Sequence, residues 1–423
     1  MSVRRVVYTA AHGGFSGQAI PLGGGAAVAE MLREEWGRTR PFELEVLGPH
    51  ILGAQAPAGE DLVRFNEREY AEFCLRFRAA STRAVLSRDA RETAVLVNDI
   101  SEGPDFARLA AAGFRVVTVY HVDVVAYIAA IYLKGRIAPA RLTRAWEGLR
   151  RLRLDGAAPQ ILKLIFAQQR ASLRHSAAVA VPSSGMKEVL LECYPETPPE
   201  RIHVLPWGAP PAGEGDGAVG YAPGGAEGLR REFGIGDGAR VLLCLSRISP
   251  EKGQDVLLEA LLDWERDGGP RGGPVWLFIC GAPAFMQGER HMARLRALAA
   301  GLKRVRVAFP GYVSGVRKRA FLSLADVYVF PSRHESYGLT LMEALAAGLP
   351  AVCLEHQGSR EIVRPEFGVM IPVREARAGL RRGLERLLEE PERRAAMGRA
   401  ARAHAEAAPF SAAAEKLAGL LGG

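Results

Sequence analysis

The run S-R-H-E-S-Y-G-L-T-L-M-E-A-L-A-A-G-L-P, from Ser332 to Pro350, holds two structural signals and two carboxylates. Just ahead of it, D-V-Y-V-F-P at 326–331 is apolar and rich in strand formers, and reads as a strand. Leu339, Leu341, Met342, Ala344, Leu345 and Ala347 then fall at helical spacing, and Gly348 stands where such a helix should stop. The order is strand, loop, helix, with Glu335 in the loop and Glu343 inside the helix. A helix start presents unpaired amides and a partial positive charge, which suits a phosphate. Acidic residues also gather at helix starts simply because they complement the dipole.

A second stretch decides between these readings. Val241–Leu245 has the pattern of a buried strand and runs into S-R-I-S-P-E-K-G, Ser246 to Gly253, before a helix predicted over Gln254–Trp264. Arg247 and Lys252 therefore sit where a strand hands over to a helix. Open parallel sheets bind ligands beyond the carboxyl ends of their strands. One cationic and one acidic junction in the same half of the chain argue for a ligand site. The two carboxylates, Glu335 and Glu343, flanking a phosphate-sized anion site suit a ligand with hydroxyls on both sides of its phosphates, as in a nucleotide sugar.

These motifs resemble a known family. S-R-x-x-x-x-K-G followed by E-x7-E, on strand–helix junctions, looks like the retaining nucleotide-sugar glycosyltransferases of family four, group 1, with the GT-B fold. Further matching pieces are the glycine-rich loop after the first strand, V-P-S-S-G-M-K-E-V-L at 181–190, R-I-H-V-L-P-W-G at 201–208 and E-I-V at 361–363. The resemblance implies an α/β chain of two Rossmann-like, doubly wound parallel-sheet domains facing a central cleft. It implies a metal-independent hexosyltransferase without a cofactor, taking a nucleoside-diphosphate sugar and an acceptor that is a sugar, a lipid-linked species or a small molecule. Two alternatives stay open, a sugar-nucleotide isomerase or hydrolase on the same fold and a catalytically silent nucleotide-sugar binder.

The chain's 423 residues are too many for one core and suggest two domains. The boundaries expected are residues 1–208, a linker at 209–228 rich in Gly, Pro and Ala, and residues 229–408, with an amphipathic helix at 409–423 returning to the first domain. With 48% hydrophobic and 24% charged residues and no long apolar run, no membrane-spanning helix is expected. The opening M-S-V-R-R-V-V-Y-T lacks a signal pattern, and five scattered cysteines point to a reducing compartment, so a cytoplasmic setting is expected. The +8 net charge invites anionic partners but accompanies no nucleic-acid motif.

In the first half, strands at 5–9, 42–47, 94–97 and 114–120 alternate with helices at 26–36, 66–87 and 106–112, the pattern of a parallel sheet. The loop after the first strand holds Gly13, Gly14, Gly17, Gly23, Gly24 and Gly25; the resemblance places Gly24 and Gly25 beside the donor diphosphate. It likewise puts His121, after the fourth strand, against the donor sugar, with Asp123 on the acceptor side. In the second half it assigns Arg247 and Lys252 to the diphosphate, Glu335 to the sugar and Glu343 to the ribose, and the backbone of Gly338, Leu339 and Thr340 to the phosphates. Gly281 lies at the same crevice and Tyr312 where relatives meet the nucleobase.

From Tyr127 to His175 apolar residues alternate with ten Arg and Lys residues while acidic ones are nearly absent. Amphipathic helices with solvated basic faces account for this pattern. It also suits peripheral contact with an anionic membrane.

Overall fold

The computed structural model describes residues 3–12, 23–57, 65–129, 133, 135–211, 223–284 and 287–422. Gly13, Gly14 and Gly17, most of the expected linker, and Ile131, Tyr132 and Lys134 of the basic segment lie outside the described residues. The chain forms two compact units, Met1–Trp207 with Ser411–Gly423, and Gly208–Phe410.

The first unit is built on a parallel sheet of β1 (Arg5–Thr9), β2 (Glu43–Leu47), β3 (Thr93–Val97), β4 (Arg115–Val119), β5 (Ala178–Val181) and β6 (Ile202–Val204), in the order β2-β1-β3-β4-β5-β6. The chain moves outward from β1 to β2 and then returns to the other side of β1 to lay down β3. That reversal opens a crevice at the carboxyl ends of β1 and β3, as in flavodoxin-like sheets. Val95, Val97, Val116, Phe106 and Leu109 form one of its cores. Most of the helix Phe410–Leu421 belongs to this unit, where the indole of Trp36 donates to the carbonyl of Ala414 at 3.2 Å.

The second unit holds β7 (Arg240–Leu245), β8 (Val275–Cys280), β9 (Val305–Gly311), β10 (Val327–Phe330), β11 (Ala351–Leu354) and β12 (Gly368–Ile371). All are parallel, in the order β12-β11-β10-β7-β8-β9. Counted within the unit this is 3-2-1-4-5-6, the Rossmann arrangement, with its switch point between β7 and β10. β7, β10 and β11 have both faces covered, so they read as unbroken apolar runs such as V-L-L-C-L rather than as alternation.

One expectation is corrected. The linker read over 209–228 overlaps the helix Pro223–Phe233, which proline opens. Gly225 there has a packing reason, since its Cβ would lie 3.0 Å from that of Ala320 on the helix Gly315–Leu324, whereas a Cβ on Gly228 would meet nothing within 4 Å. Composition cannot separate glycines that loosen a loop from glycines that let two helices approach.

Candidate active site

Register explains why the two motif loops meet. Leu242 pairs with Val327 and Leu243 with Tyr328, so β7 and β10 end side by side. The loop after β7 closes in a short turn, Pro250–Lys252, followed by Gly253 at φ 66°. A Cβ there would stand 2.0 Å from the carbonyl oxygen of Pro331, the residue after β10. Only glycine lets the backbones touch, and this contact carries Lys252 to Glu335, Nζ to Oε1 at 2.5 Å. Ser332 also donates to Oε1 at 3.2 Å, and the carbonyl of Glu335 accepts from the Gly358 amide at 3.0 Å.

The pair is sunk in the protein. Lys252 is 7% exposed, although its place at a strand–helix junction suggests an exposed crevice. Burial works to raise the Glu335 pKa, but the charge and hydrogen bond of Lys252, with His356 and Arg247, outweigh it and hold the carboxyl below its usual range. Gln254, which the sequence reading missed, donates to Ser246 Oγ at 2.9 Å and to the carbonyl of Arg247 at 2.7 Å, fixing the backbone that carries that arginine. Its only sequence signal is its place as first residue of the helix Gln254–Arg266.

The helix Leu339–Ala346 starts at Gly338, φ 135°, with no side-chain cap. Its first turn therefore keeps its dipole for another acceptor. Thr340 Oγ1 is bonded by the Tyr328 hydroxyl at 2.8 Å. Glu343 pairs with Lys318, and Tyr312 follows β9 with its side chain half-exposed. Gly281 has a packing reason to be glycine, because a Cβ would fall 1.8 Å from the Ser246 carbonyl. Arg247, Lys252, Gly281, Tyr312, Glu335, Gly338, Leu339, Thr340 and Glu343 thus all lie in the second unit, where the carboxyl ends of β7 to β10 lead into their loops and helices.

The other expected residues lie at the crevice of the first unit. His121 follows β4, and its Nε2 is 2.8 Å from Asn98 Oδ1. Its ring stacks on Trp207, centroids 5.6 Å apart, and a Cβ on Gly25 would meet it at 3.0 Å. Gly24 and Gly25 open the helix Gly24–Thr39, so the helix start rests directly on His121. Burial holds the His121 pKa down at about 4, so the ring is neutral near pH 7.

His12, missed by the sequence reading, behaves oppositely. Its Nδ1 is 3.3 Å from Asp99 Oδ1 and its Nε2 3.8 Å from Glu102 Oε1. Burial alone would lower its pKa, but the two carboxylates, chiefly Asp99, raise it to about 9. Asp123 does not face this cluster through a ligand-like contact. It caps the short helix Val124–Tyr127, accepting from the Ala126 amide and from Gln169 Nε2, both at 3.0 Å.

Residues 226–404, nearly all of the second unit, match the family of glycosyl transferases group 1. The second unit is a group 1 glycosyltransferase domain. The chain is 32% identical over 188 residues to the GDP-mannose-dependent monoacylated alpha-(1-6)-phosphatidylinositol monomannoside mannosyltransferase of Corynebacterium glutamicum, covering 42% of this chain and 45% of that protein. It is 31% identical over 253 residues to a D-inositol 3-phosphate glycosyltransferase of Corynebacterium glutamicum strain R, covering 57% and 56%. The chain thus spans about half the length of the curated relatives it matches. Across the whole chain the fold is that of WaaG, a glycosyltransferase involved in lipopolysaccharide biosynthesis, with TM-score 0.68 at 18% identity over 99% of this chain and 100% of that one. It is also that of Anabaena Alr3699/HepE in complex with UDP-glucose, with TM-score 0.64 at 16% identity over 98% of both chains. The chain thus has the GT-B fold expected, two Rossmann-like units each built on a six-stranded parallel sheet.

Proposed function

We propose that the chain transfers a hexosyl group from a nucleoside-diphosphate sugar to an acceptor hydroxyl, with retention at the anomeric carbon and without a metal ion. The observation that carries this reading is the Lys252–Glu335 contact across the β7/β10 switch point, with Arg247 near enough to lower the Glu335 pKa. The bond from the anomeric carbon to phosphate oxygen breaks and a bond to the acceptor oxygen forms, while the acceptor proton passes to the leaving diphosphate. Negative charge grows on that diphosphate, and Lys252, Arg247 and the uncapped amides at Gly338, Leu339 and Thr340 are its natural stabilisers. Within the second unit Glu335 then takes the hydroxyls of the transferred sugar, Glu343 the ribose and Tyr312 the base; in the first unit the resemblance assigns His121 to the sugar and Gly24 and Gly25 to the diphosphate.

The test is a panel of UDP-, GDP- and ADP-sugars in EDTA, with and without sugar, inositol and lipid-linked acceptors. One donor should release its nucleoside diphosphate only when an acceptor is present, and that diphosphate should raise the melting temperature. Free sugar formed without acceptor would identify a hydrolase, a rearranged donor an isomerase, and binding without turnover a silent binder. In calorimetry with the bare diphosphate, Glu343→Gln should lose affinity and Glu335→Gln keep it. The reverse result would overturn the two placements.

A second observation favours an acceptor at a membrane. Among the described residues, Ile137, Leu149, Leu152 and Leu154 are large exposed apolar side chains within one short segment. Leu152 is 70% and Leu154 62% exposed, and Arg153 between them adopts φ 57°. Arg136, Arg141, Arg144, Arg150, Arg151 and Arg153 of the same segment are also exposed. Exposed leucines and exposed arginines in one segment suit an anionic bilayer, which takes the apolar tips while its headgroups meet the guanidinium groups. No helix among the described residues is long and apolar enough to cross a membrane. Sedimentation with phosphatidylglycerol vesicles, and not with phosphatidylcholine vesicles, should carry the protein down, and Leu152→Ser/Leu154→Ser should abolish it. Equal binding to both vesicle types, or none to either, would exclude this contact.

A further inference from the structure

Glu343 is only half satisfied. Its Oε1 receives Lys318 Nζ at 2.7 Å, while Oε2 is buried with no hydrogen-bond partner among the described residues. A buried acceptor left unpaired is costly, so this carboxylate has an unmet demand for a donor. Lys318 comes from another element, the helix Gly315–Leu324, and its side chain is 30% exposed. An ammonium has three N–H donors, of which one is spent here on Glu343. Its neighbour Arg317 is turned elsewhere, forked onto Glu232 at 3.0 and 2.6 Å and lying over the Phe321 ring. Tyr312 borders the same place, since its phenol pKa is raised by burial first and by the charge of Glu343 second.

A carboxylate can only accept hydrogen bonds and an ammonium can only donate them, whereas a hydroxyl does both. We propose that Lys318 and Glu343 together read the ribose diol of the bound nucleotide, Lys318 donating to hydroxyl oxygens while Glu343 accepts from the hydroxyls. This rests on the reading above that Glu343 faces the ribose, and makes Lys318 a residue that selects ribonucleotides over deoxyribonucleotides.

Calorimetry on the full chain tests this with the nucleoside diphosphate that stabilises it and with the 2′-deoxy, 3′-deoxy and 2′,3′-dideoxy forms. Lys318→Met should weaken the ribonucleotide about tenfold, the size of one charged hydrogen bond. It should leave the already weak dideoxy form unchanged, and Lys318→Arg should restore most of the loss. Should Lys318→Met melt early, Lys318→Gln, which keeps the length and one donor group, supplies the same comparison. Equal loss for ribo and dideoxy forms overturns the inference, because Lys318 would then act on the phosphates or the fold; so does no loss at all. If the unmodified protein binds ribo and dideoxy forms equally, the placement of Glu343 falls and this inference with it.

Discussion

Replacing Lys252 by Met should injure both stability and turnover, and a second substitution should separate the two. In the native protein the Lys252 side chain is 9% exposed and Glu335 is its partner at 2.5 Å. Lys252→Met keeps the stem and removes the charge, leaving a largely buried carboxylate with the Ser332 hydroxyl and more distant cations. Breaking a buried pair in this way costs about 3–5 kcal/mol. The lower end applies here, since 19% of the Glu335 side chain remains in water. For a unit of this size about 3 kcal/mol lowers the melting temperature by roughly 6–12 °C. Turnover should fall by ~10²–10³ if Lys252 stabilises the leaving diphosphate.

The double variant Lys252→Met/Glu335→Gln removes the orphaned charge as well. It should regain most of the lost melting temperature while remaining inactive. A pH series adds a sign. The folded pKa of Glu335 lies below its unfolded value, so the pair stabilises above the unfolded pKa of about 4.3 and is lost as pH falls through the folded value. The gap in melting temperature between native protein and Lys252→Met should therefore narrow in acid. A single variant that melts like the native protein at pH 7, or a double variant no more stable than the single, would refute the buried-pair account.

Three other outcomes follow from the geometry. His12, raised to about 9, stabilises the fold at pH values below the ordinary histidine pKa and loses that effect as pH rises through 9; His121, lowered to about 4, stabilises above the ordinary value and loses its effect as pH falls through 4. Imidazole NMR should show the two rings titrating far apart, and two midpoints near 6.5 would contradict the cluster. Gly25→Ala should push the His121 ring off Asn98, seen as a rise in the His121 midpoint towards 6.5 with a fall in kcat, whereas an unmoved midpoint would mean the helix start yields instead. Gly253→Ala and Gly281→Ala should give protein that melts early or fails to accumulate, because each Cβ would meet a carbonyl oxygen at 2.0 or 1.8 Å; a native melting curve for either would contradict the close approach.

Much of the fold is written locally. Buried parallel strands need continuous apolar runs, so V-L-L-C-L, V-Y-V-F and A-V-C-L declare themselves, and Gly348 ends its helix for a reason of backbone conformation alone. Arg247, Lys252, Glu335 and Glu343 could be picked out because a strand–loop–helix junction fixes where a side chain stands relative to a sheet edge. Strand order was beyond reach of any such rule. Nothing local says that the first unit runs 2-1-3-4-5-6 and the second 3-2-1-4-5-6, since that depends on which edge each crossover returns to.

The partnerships are likewise tertiary. Lys252 and Glu335 are 83 residues apart and meet only because β10 lies beside β7 and Gly253 lets the loops touch. His12 looked unremarkable in the sequence because its charge is decided by Asp99, 87 residues on, across the β1/β3 crevice. Local sequence sets which residues can form a strand or start a helix, because those choices depend on near neighbours along the chain. Which carboxylate keeps a proton, and which lysine is buried, depends on solvent exclusion and on charges brought within a few ångströms by the fold, and only the packed structure decides that.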